Sequence, residues 1–570
     1  MAGLQFGLLL GLSWARYANV HQRTFDLALY ARMAWGFAHG DGWAPLLGTS
    51  VWGCHLSPVL LPLGLLGRVF GTVPVLLTAQ AASIALMLFP LARIGARRLG
   101  MRGVWLAGAA WLLYPNVFHV GTYEFHPGTL ALLPMTWAFD ALDRGKLEQL
   151  AWCALAALCC REELGAFAAL MFWLHYRDRA QKRALIYGAS SVAYMVVGLL
   201  IVSAHAPMQG SADAHFGVWG GSPFGVLRAL FTDPGQVFAH FKARLSYLPR
   251  LLAPLSFFSL LAPRLLLPAL PYIALNMISA FPTATQQYSH YLTPALPALL
   301  VSGLVGVSDV RARFPRVTWF IALAIAHFAL GGSPLSLDFD RSAYVEDDTT
   351  RAARTILSAI PPEASVQAPY ALLPHLAERK DLRRAPPPDA GLRYTVIDVS
   401  HRQRYARQEV LLRTSEEPLI RAWLARRDVQ MIAYAPPYAL FERAERGARA
   451  CVTPGSEQGT PLTQCLSVVD ARLDHGELVL RMTARDACPP DLALRYSIEG
   501  KHWPVVLLCD GALSPARLQA GDVIESRHRL TPEERAALER SEQLQLGSLR
   551  ASGDTVLHGD PRAVTVRLGR

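Results

Sequence analysis

The chain has 570 residues, of which 52% are hydrophobic and only 17% charged, against a usual charged fraction of about 25%. Residues 1–333 contain 23 Lys and Arg against 12 Asp and Glu, a net of +11, whereas residues 334–570 contain 32 of each sign. The excess of positive charge therefore lies entirely in the apolar part. This distribution follows the positive-inside rule and argues against a nucleic-acid partner, which needs a basic patch on a soluble face.

The apolar segments predict a multi-pass membrane protein with eleven transmembrane helices, since one crossing takes about 20 residues. The predicted spans lie near 3–20, 73–95, 103–120, 128–142, 147–160, 163–176, 184–204, 248–262, 264–281, 290–308 and 317–332. Basic clusters fall between alternate helices, which places all of them in the cytoplasm. The clusters lie within 93–102, 144–146, 177–183 and 311–316. The N-terminus is then cytoplasmic, and an uncleaved first helix is expected because the start lacks a basic cluster and a cleavage site.

The first outward loop spans 21–72 and begins with Thr24-Phe25-Asp26-Leu27. A carboxylate fixed at the mouth of a helical bundle can act as a general base, so Asp26 is the leading catalytic candidate. The alternative is that Asp26 only caps the helix predicted over 27–38. The apolar segment 55–71 contains two prolines and an arginine, and we expect it to lie on the outer surface as an interfacial helix.

A second group of charges, Arg161-Glu162-Glu163, forms the tip of a hairpin whose two ends are both basic. Its arms are too short to carry the tip to the outer interface. Because charges facing lipid are costly, these residues must face protein or a water-filled cavity. One arginine cannot neutralise two glutamates, so a histidine, a cation or a substrate is implied. The alternative is an internal ion pair that only locks the helices together.

The short outward turn Tyr123-Glu124-Phe125-His126-Pro127 contains two more candidates. Glu124 and His126 either cap helices at the interface or surround one outward cavity together with Asp26 and His55. Such groups could hold a divalent cation, or one carboxylate could act as the base while histidines hold a phosphate. The sequence leaves these alternatives open.

The last outward loop of the bundle, 282–290, adds Tyr288 and His290. Tyr288 fits an ordinary interfacial aromatic residue as well as a substrate contact, and His290 is a candidate for contacting a lipid phosphate. Asp213, His215 and Trp219, in the loop 205–247, are weaker candidates for substrate contacts.

The tail divides into an α/β domain over 334–450 and a β-rich, sandwich-like module over 451–570. We expect strands at 394–399, 477–482 and 503–508, a helix near 419–426, and a helix that starts with Thr531 as N-cap and Pro532 as first residue. The tail cysteines are even in number and lack a CxxC pair, which favours two disulfides in an oxidising compartment over free thiols. Of the three possible connectivities, the sequence interpretation takes Cys451–Cys465 and Cys488–Cys509.

These residues resemble a family of bacterial and archaeal multi-pass membrane proteins of unknown function, itself similar to the GT-C glycosyltransferases. The resemblance covers residues 1 to about 445, and residues 451–570 lie outside it. The motifs that carry it are Phe25-Asp26-Leu27, His55-Leu-Ser-Pro58, Tyr114-Pro115, Glu124-Phe-His-Pro127, Arg161-Glu-Glu163, His290-Tyr291 and Pro374-His375-Leu376.

The GT-C resemblance implies a transferase of the bacterial inner membrane and cell envelope that takes a sugar from a polyprenyl-phosphate carrier on the outer face. An acidic residue of the first outward loop serves such enzymes as base, which here implies Asp26. Many of them have an adjacent acidic pair, whereas here only Asp41 lies further along, so Glu124 is the alternative base.

The leading hypothesis is an inverting glycosyltransferase whose periplasmic tail recognises an unidentified acceptor. Glu124, His126, Glu162 and Glu163 are expected to shape the cavity and to hold any divalent cation. Arg161, His55 and His290 are expected to hold the carrier phosphate. The alternative functions are a lipid or solute transporter of the flippase type, disfavoured by the lack of internal repeats, and a membrane-anchored sensor or scaffold, which does not need buried charges.

Overall fold

A computed structural model describes residues 1–570 other than 23, 206–214, 223, 287, 311–313, 386–390, 399–416, 444–449, 456, 475, 499–500, 507, 553–554 and 570. The chain forms two compact units. The first comprises residues 1–347 and 370–380, and the second comprises 348–369 and 381–570. The prediction of a mainly helical protein with a β-rich C-terminal region is confirmed.

The first unit is helical. Its helices are Ala2–Ala18, Asp26–Ala38, Leu60–Phe70, Thr72–Leu86, Leu88–Leu99, Met101–Leu113, Pro115–Thr122, Pro127–Leu130, Leu132–Arg144, Leu147–Leu158, Gly165–Arg179, Arg183–His205, Gly225–Thr232, Pro234–Arg244, Tyr247–Leu252, Pro263–Leu266, Leu270–Ile278, Leu296–Asp309 and Phe314–Leu330. Short 3-10 turns include Glu162–Leu164 and His290–Ala295. The apolar faces of these helices share one large core, in which Trp111, Tyr114, Phe139 and Phe167 are almost wholly buried.

Several segments predicted as single spans are broken helices. Within the described residues, only Thr72–Leu99, Arg183–His205 and His290–Asp309 are long and apolar enough to cross a membrane. The lengths of the described helices therefore do not by themselves support the predicted eleven crossings. Some of the breaks lie at prolines, which have no N–H to donate and disfavour a helical residue before them. Pro115 begins a new helix directly after Met101–Leu113, for example.

Residues 370–380 pack with the N-terminal helices of the same unit. The imidazole of His375 stacks on Tyr17 with 4.2 Å between ring centroids, and its Nε2 lies 2.9 Å from the Tyr17 carbonyl oxygen. Glu378 accepts a hydrogen bond of 2.6 Å from the backbone N–H of Thr72, and the buried Arg32 donates one to the Lys380 carbonyl. Arg32 also pairs with Asp41, so the second acidic residue of the first loop holds this part of the unit together.

The strands, numbered β1 to β16 in chain order, are Trp43–Ala44, Thr49–Ser50, Val366–Ala368, Leu382–Arg384, Tyr394–Asp398, Val429–Ala435, Tyr438–Arg443, Val452–Pro454, Thr460–Pro461, Leu466–Asp474, Glu477–Ala484, Leu492–Ile498, Lys501–Val506, Asp522–Arg529, Gln543–Ser552 and Thr555–Gly569. The short strands β1 and β2 pair within the first unit. The second unit contains two larger sheets. One has the order β4-β3-β5-β7-β6, and the other has the order β13-β12-β15-β16-β10-β11-β14-β8, with β9 paired to β10.

The helices of the second unit are Asp348–Ser358, Glu417–Leu424 and Pro532–Arg540. The predicted start of the last one is confirmed. Thr531 caps it and exchanges hydrogen bonds with Glu534 as a capping box, with Pro532 in the first turn.

The disulfide pairing taken from the sequence is wrong: the structure joins Cys451 to Cys509 and Cys465 to Cys488. Strand pairing explains both bonds. Cys465 and Cys488 flank the hairpin β10–β11, in which Leu466 is paired with Ala484. Cys451 and Cys509 both bond to β14, through the Glu525 backbone N–H and the Ser526 hydroxyl.

Candidate functional site

The helix Asp26–Ala38 is capped by a residue about 100 positions away in the sequence. The carboxylate of Glu124 accepts hydrogen bonds from the backbone N–H groups of Thr24, at 2.5 Å, and Leu27, at 3.1 Å. Two N-terminal amides of the helix region are thereby satisfied by one side chain. The alternative that Asp26 merely caps this helix is wrong, because Asp26 is its first residue and Phe25 the N-cap.

Asp26 is left to interact with other groups. Its Oδ2 accepts a hydrogen bond of 2.7 Å from the Thr24 hydroxyl and lies 3.5 Å from Nε2 of His126, and its side chain is 19% exposed. Burial raises the pKa of the Asp26 carboxyl, but His126 and the Thr24 hydroxyl outweigh burial, and the pKa lies below its ordinary value. Asp26 is therefore ionised at neutral pH and accessible at its surface.

The turn that supplies Glu124 and His126 is held by Gln80, which the sequence reasoning missed. The Gln80 amide donates to the carbonyl oxygens of Tyr123, at 3.2 Å, and Glu124, at 3.3 Å, and accepts from the His126 N–H at 3.2 Å. Gln80 is buried in the helix Thr72–Leu86. A glutamine inside an otherwise apolar predicted span was the available signal, because amide groups rarely lie in such spans without a partner.

His126 stacks on His290, with 3.6 Å between ring centroids and 20° between the ring planes; we call this pair the imidazole stack. Both ring nitrogens of His126, and Nδ1 of His290, are buried and have no hydrogen-bond partner among the described residues. Burial lowers the pKa of His126 below its ordinary value, and this outweighs the raising effect of Asp26. A buried polar group without a partner is costly, so this stack is where a bound group is most needed.

The second polar group consists of His55, Arg161, Glu162 and Glu163; we call it the Arg161 cluster. Glu162 accepts hydrogen bonds from the Leu56 backbone N–H, at 2.8 Å, and from His55 Nδ1, at 3.0 Å. Arg161 pairs with Glu163 at 2.8 Å and with His55 Nε2 at 2.8 Å.

The backbone around this cluster allows a close approach of other elements. A Cβ at Gly198, on the helix Arg183–His205, would lie 2.6 Å from Glu162 Cβ, so a side chain there would force a shift. The Glu163 carbonyl accepts a hydrogen bond of 2.9 Å from the Tyr272 hydroxyl. The hairpin tip is thus fixed between two other elements of the bundle.

The two groups lie close together. Arg161 reaches the turn that follows His126, since a Cβ at Gly128 would lie 3.0 Å from Arg161 Cδ, and Tyr30 lies between the groups. The Tyr30 ring meets that of His126 edge-on at 5.4 Å, and its hydroxyl lies 3.9 Å from Cys54 Sγ, next to His55. Asp26, His126, His290 and the Arg161 cluster therefore form one polar region.

The last outward loop contributes unevenly. His290 belongs to the imidazole stack and contacts Tyr291, with 4.2 Å between centroids. The Tyr291 hydroxyl lies 3.3 Å from Nε2 of His215, whose Nδ1 lies 2.7 Å from the Ser279 hydroxyl. Tyr288 meets His119 edge-on at 6.5 Å. Trp219 donates to the Ile278 carbonyl, and Asp213 lies outside the described residues.

His55, Glu162 and Glu163 are the described residues whose spacing fits a metal ion. One ligand atom from each lies within 4.8 Å of the others, and nitrogen with carboxylate oxygen suits zinc or manganese. The Arg161 guanidinium bonds to two of the same side chains. A cation can therefore join this cluster only if Arg161 moves towards another anion.

The family model "Predicted membrane protein (DUF2079)" matches residues 16–429, a range that contains every residue of the polar region. A comparison with curated proteins finds no match. Among solved structures, the crystal structure of ArnT from Cupriavidus metallidurans in the apo state matches with a TM-score of 0.42 and 13% identity, over 76% of this chain and 97% of that one. At that TM-score, the likeness transfers neither a site nor an activity.

Proposed function

The chain belongs to the DUF2079 family of predicted membrane proteins, and we propose that it is a membrane glycosyltransferase. It moves a sugar from a polyprenyl-phosphate carrier to an acceptor on the extracytoplasmic face. The observation that carries this proposal is the ionised, partly exposed Asp26 carboxylate beside buried imidazoles that have no hydrogen-bond partner among the described residues. The resemblance of the sequence motifs to GT-C glycosyltransferases supplies the reaction class.

In the proposed reaction, an acceptor hydroxyl or amine attacks the anomeric carbon of the donor sugar while its proton passes to Asp26. The bond between that carbon and the carrier phosphate oxygen breaks, and the phosphate leaves with the electron pair. A single displacement of this kind inverts the anomeric centre. Positioning and proton transfer to a fixed base contribute about 10²–10⁴-fold in such reactions.

Arg161 is the cation that meets the leaving phosphate, because guanidinium groups bind phosphate oxygens through paired N–H donors. The imidazole stack supplies nitrogens that bond to the donor or the acceptor. His55 lies close to both glutamates, with its Nδ1 3.0 Å from Glu162 and 3.8 Å from Glu163. Glu124 acts as a positioning residue, because both of its oxygens hold the helix that begins with Asp26.

The proposed setting is the bacterial inner membrane with eleven crossings, a cytoplasmic N-terminus and a periplasmic tail. The two disulfides of the second unit support an oxidising compartment for that unit. The positive excess of residues 1–333 supports the orientation. The unit boundaries near 333 and 450 predicted from the sequence remain part of this proposal.

Native mass spectrometry of the detergent-purified protein tests the donor. Wild type is compared with Asp26→Asn, and with Asp309→Asn as a matched control, because Asp309 is 57% exposed and pairs only loosely with Arg98 at 3.7 Å. We expect a polyprenyl phosphate bearing a sugar to be enriched in Asp26→Asn, since transfer stalls after donor binding. Ordinary phospholipid alone in all three proteins would contradict the proposal.

A further inference from the structure

A groove far from the polar region in sequence lies between the helices Met101–Leu113 and Phe314–Leu330. It has a volume of about 880 Å³ and is lined mainly by apolar side chains, and its polar residues are Arg102 and Arg316. Its apolar lining includes Trp105, which is 64% exposed, and Phe320, which is 51% exposed. An apolar face of this kind, open at its side, suits an acyl chain.

The two arginines lie at the same end of the groove. Arg102 and Arg316 are the second and third residues of their helices. Beyond the other end, Phe118, which follows the helix Met101–Leu113, meets His327 edge-on with 6.4 Å between ring centroids. The two helices therefore run side by side in the same direction, and both positive helix N-termini lie beside the arginines.

The charges at this end are available to an anion. Arg102 has no hydrogen bond or ion pair with any residue that the structure describes. Arg316 donates one bond of 2.8 Å to the Val310 carbonyl, and its buried Nε has no partner in the described part of the chain. The described residues that line the groove include no acidic side chain. Its positive end is therefore complementary to a phosphate group.

The length of the groove matches one leaflet. Arg102 and Leu113 are 11 residues apart on one helix, which corresponds to about 16 Å at a rise of about 1.5 Å per residue. Half of a hydrocarbon core of about 30 Å is about 15 Å. An acyl chain that begins at the arginines therefore ends near the middle of the membrane.

From this geometry we infer that the groove is a binding site for an anionic glycerophospholipid of the surrounding membrane. Arg102 and Arg316 hold the phosphate of its headgroup, and one acyl chain lies along Trp105 and Phe320. Both arginines belong to segments that the positive-inside rule predicts to be cytoplasmic, where basic pockets between helices bind anionic headgroups. The site is independent of the proposed transferase activity.

Native mass spectrometry of the purified protein, equilibrated with an equimolar mixture of phosphatidylglycerol and phosphatidylcholine, tests the inference. We expect at least about tenfold more bound phosphatidylglycerol than phosphatidylcholine in wild type, because two guanidinium groups face the headgroup. Arg102→Gln/Arg316→Gln should lower this ratio to about one. Arg68→Gln is the matched control, since Arg68 is also an exposed arginine on an apolar helix, and it should keep the wild-type ratio.

Two further variants keep the test decisive if the loss of the Arg316–Val310 bond impairs folding. Arg102→Gln alone should reduce the preference for phosphatidylglycerol severalfold. Ala109→Trp fills the groove without removing a charge and should lower the amount of either bound lipid. The inference is overturned if wild type retains both lipids equally, or if the double arginine variant selects phosphatidylglycerol as strongly as Arg68→Gln does.

Discussion

The Arg161 cluster and the pair of Asp26 with the imidazole stack both bury charged or polar groups in the helical unit, but the two differ in how far those groups are satisfied. In the cluster, both Glu162 oxygens accept hydrogen bonds and Arg161 contacts Glu163 and His55, and only one buried nitrogen among the described residues of the cluster, Nε of Arg161, makes no hydrogen bond. In the stack, three ring nitrogens are buried without a hydrogen-bond partner among the described residues. A satisfied network fixes a structure, whereas unsatisfied groups are kept where a ligand completes them. We therefore expect the cluster to contribute to stability as well as to phosphate binding by Arg161, and the stack to contribute to ligand binding with little effect on stability.

The sharpest way to break the cluster is Arg161→Gln. It leaves Glu163 and His55 without their guanidinium partner, and removing one partner of a buried ion pair costs roughly 3–5 kcal/mol. Thermal unfolding in detergent should show a midpoint well below that of wild type. Arg183→Gln is the control, because Arg183 is 68% exposed and pairs with an exposed Glu148. Equal midpoints for the two variants would contradict the role given to the cluster.

Glu162→Gln tests the carboxylate of the same cluster. It removes one of the two oxygens that accept hydrogen bonds from the Leu56 N–H and from His55 Nδ1, so we expect the free energy of unfolding to fall by about 1–3 kcal/mol. Thermal unfolding in detergent measures the change, and a variant as stable as wild type would contradict the role of this carboxylate.

Glu124→Gln tests the cap of the helix that begins with Asp26. The neutral amide has only one accepting oxygen for the N–H groups of Thr24 and Leu27, so we expect a loss of about 1 kcal/mol, as for other lost N-caps. Because Asp26 shifts with its helix, donor retention in native mass spectra should fall as well. A variant with wild-type stability and donor retention would show that Glu124 does not position this helix.

The smallest effect on stability is expected at the imidazole stack. His126→Phe keeps the ring stacking and removes two nitrogens that make no hydrogen bond with a described residue, although Nε2 lies 3.5 Å from Asp26. The unfolding free energy should therefore change by less than about 1 kcal/mol while the bound donor is lost. His327→Phe is the matched control, since His327 is equally buried but bonds to the Ser333 hydroxyl at 2.7 Å. His327→Phe should lower the free energy of unfolding by about 1–3 kcal/mol, because the Ser333 hydroxyl loses its partner. A larger loss for His126→Phe would identify His126 as structural.

The sequence could indicate the charged residues of this region because such groups are conspicuous in an apolar chain. It could not predict that Glu124 caps a helix about 100 positions away, or that Gln80 holds the turn of His126, because these contacts depend on helix packing. The helix after Thr531 was predictable because its capping box is local. The disulfide pairing was not, because Cys451 meets Cys509 only through the long-range pairing of β14 with β8.

The central claim is that Asp26 is the base of a sugar transfer, and reconstitution tests it most directly. Wild type, Asp26→Asn and Asp309→Asn are placed in vesicles with polyprenyl-phosphate sugars extracted from the native membrane, together with that membrane's acceptor fraction. The release of free polyprenyl phosphate is then measured over time. We expect release by wild type and Asp309→Asn, and a rate lower by about 10²-fold or more in Asp26→Asn. Equal release by all three proteins would contradict the account.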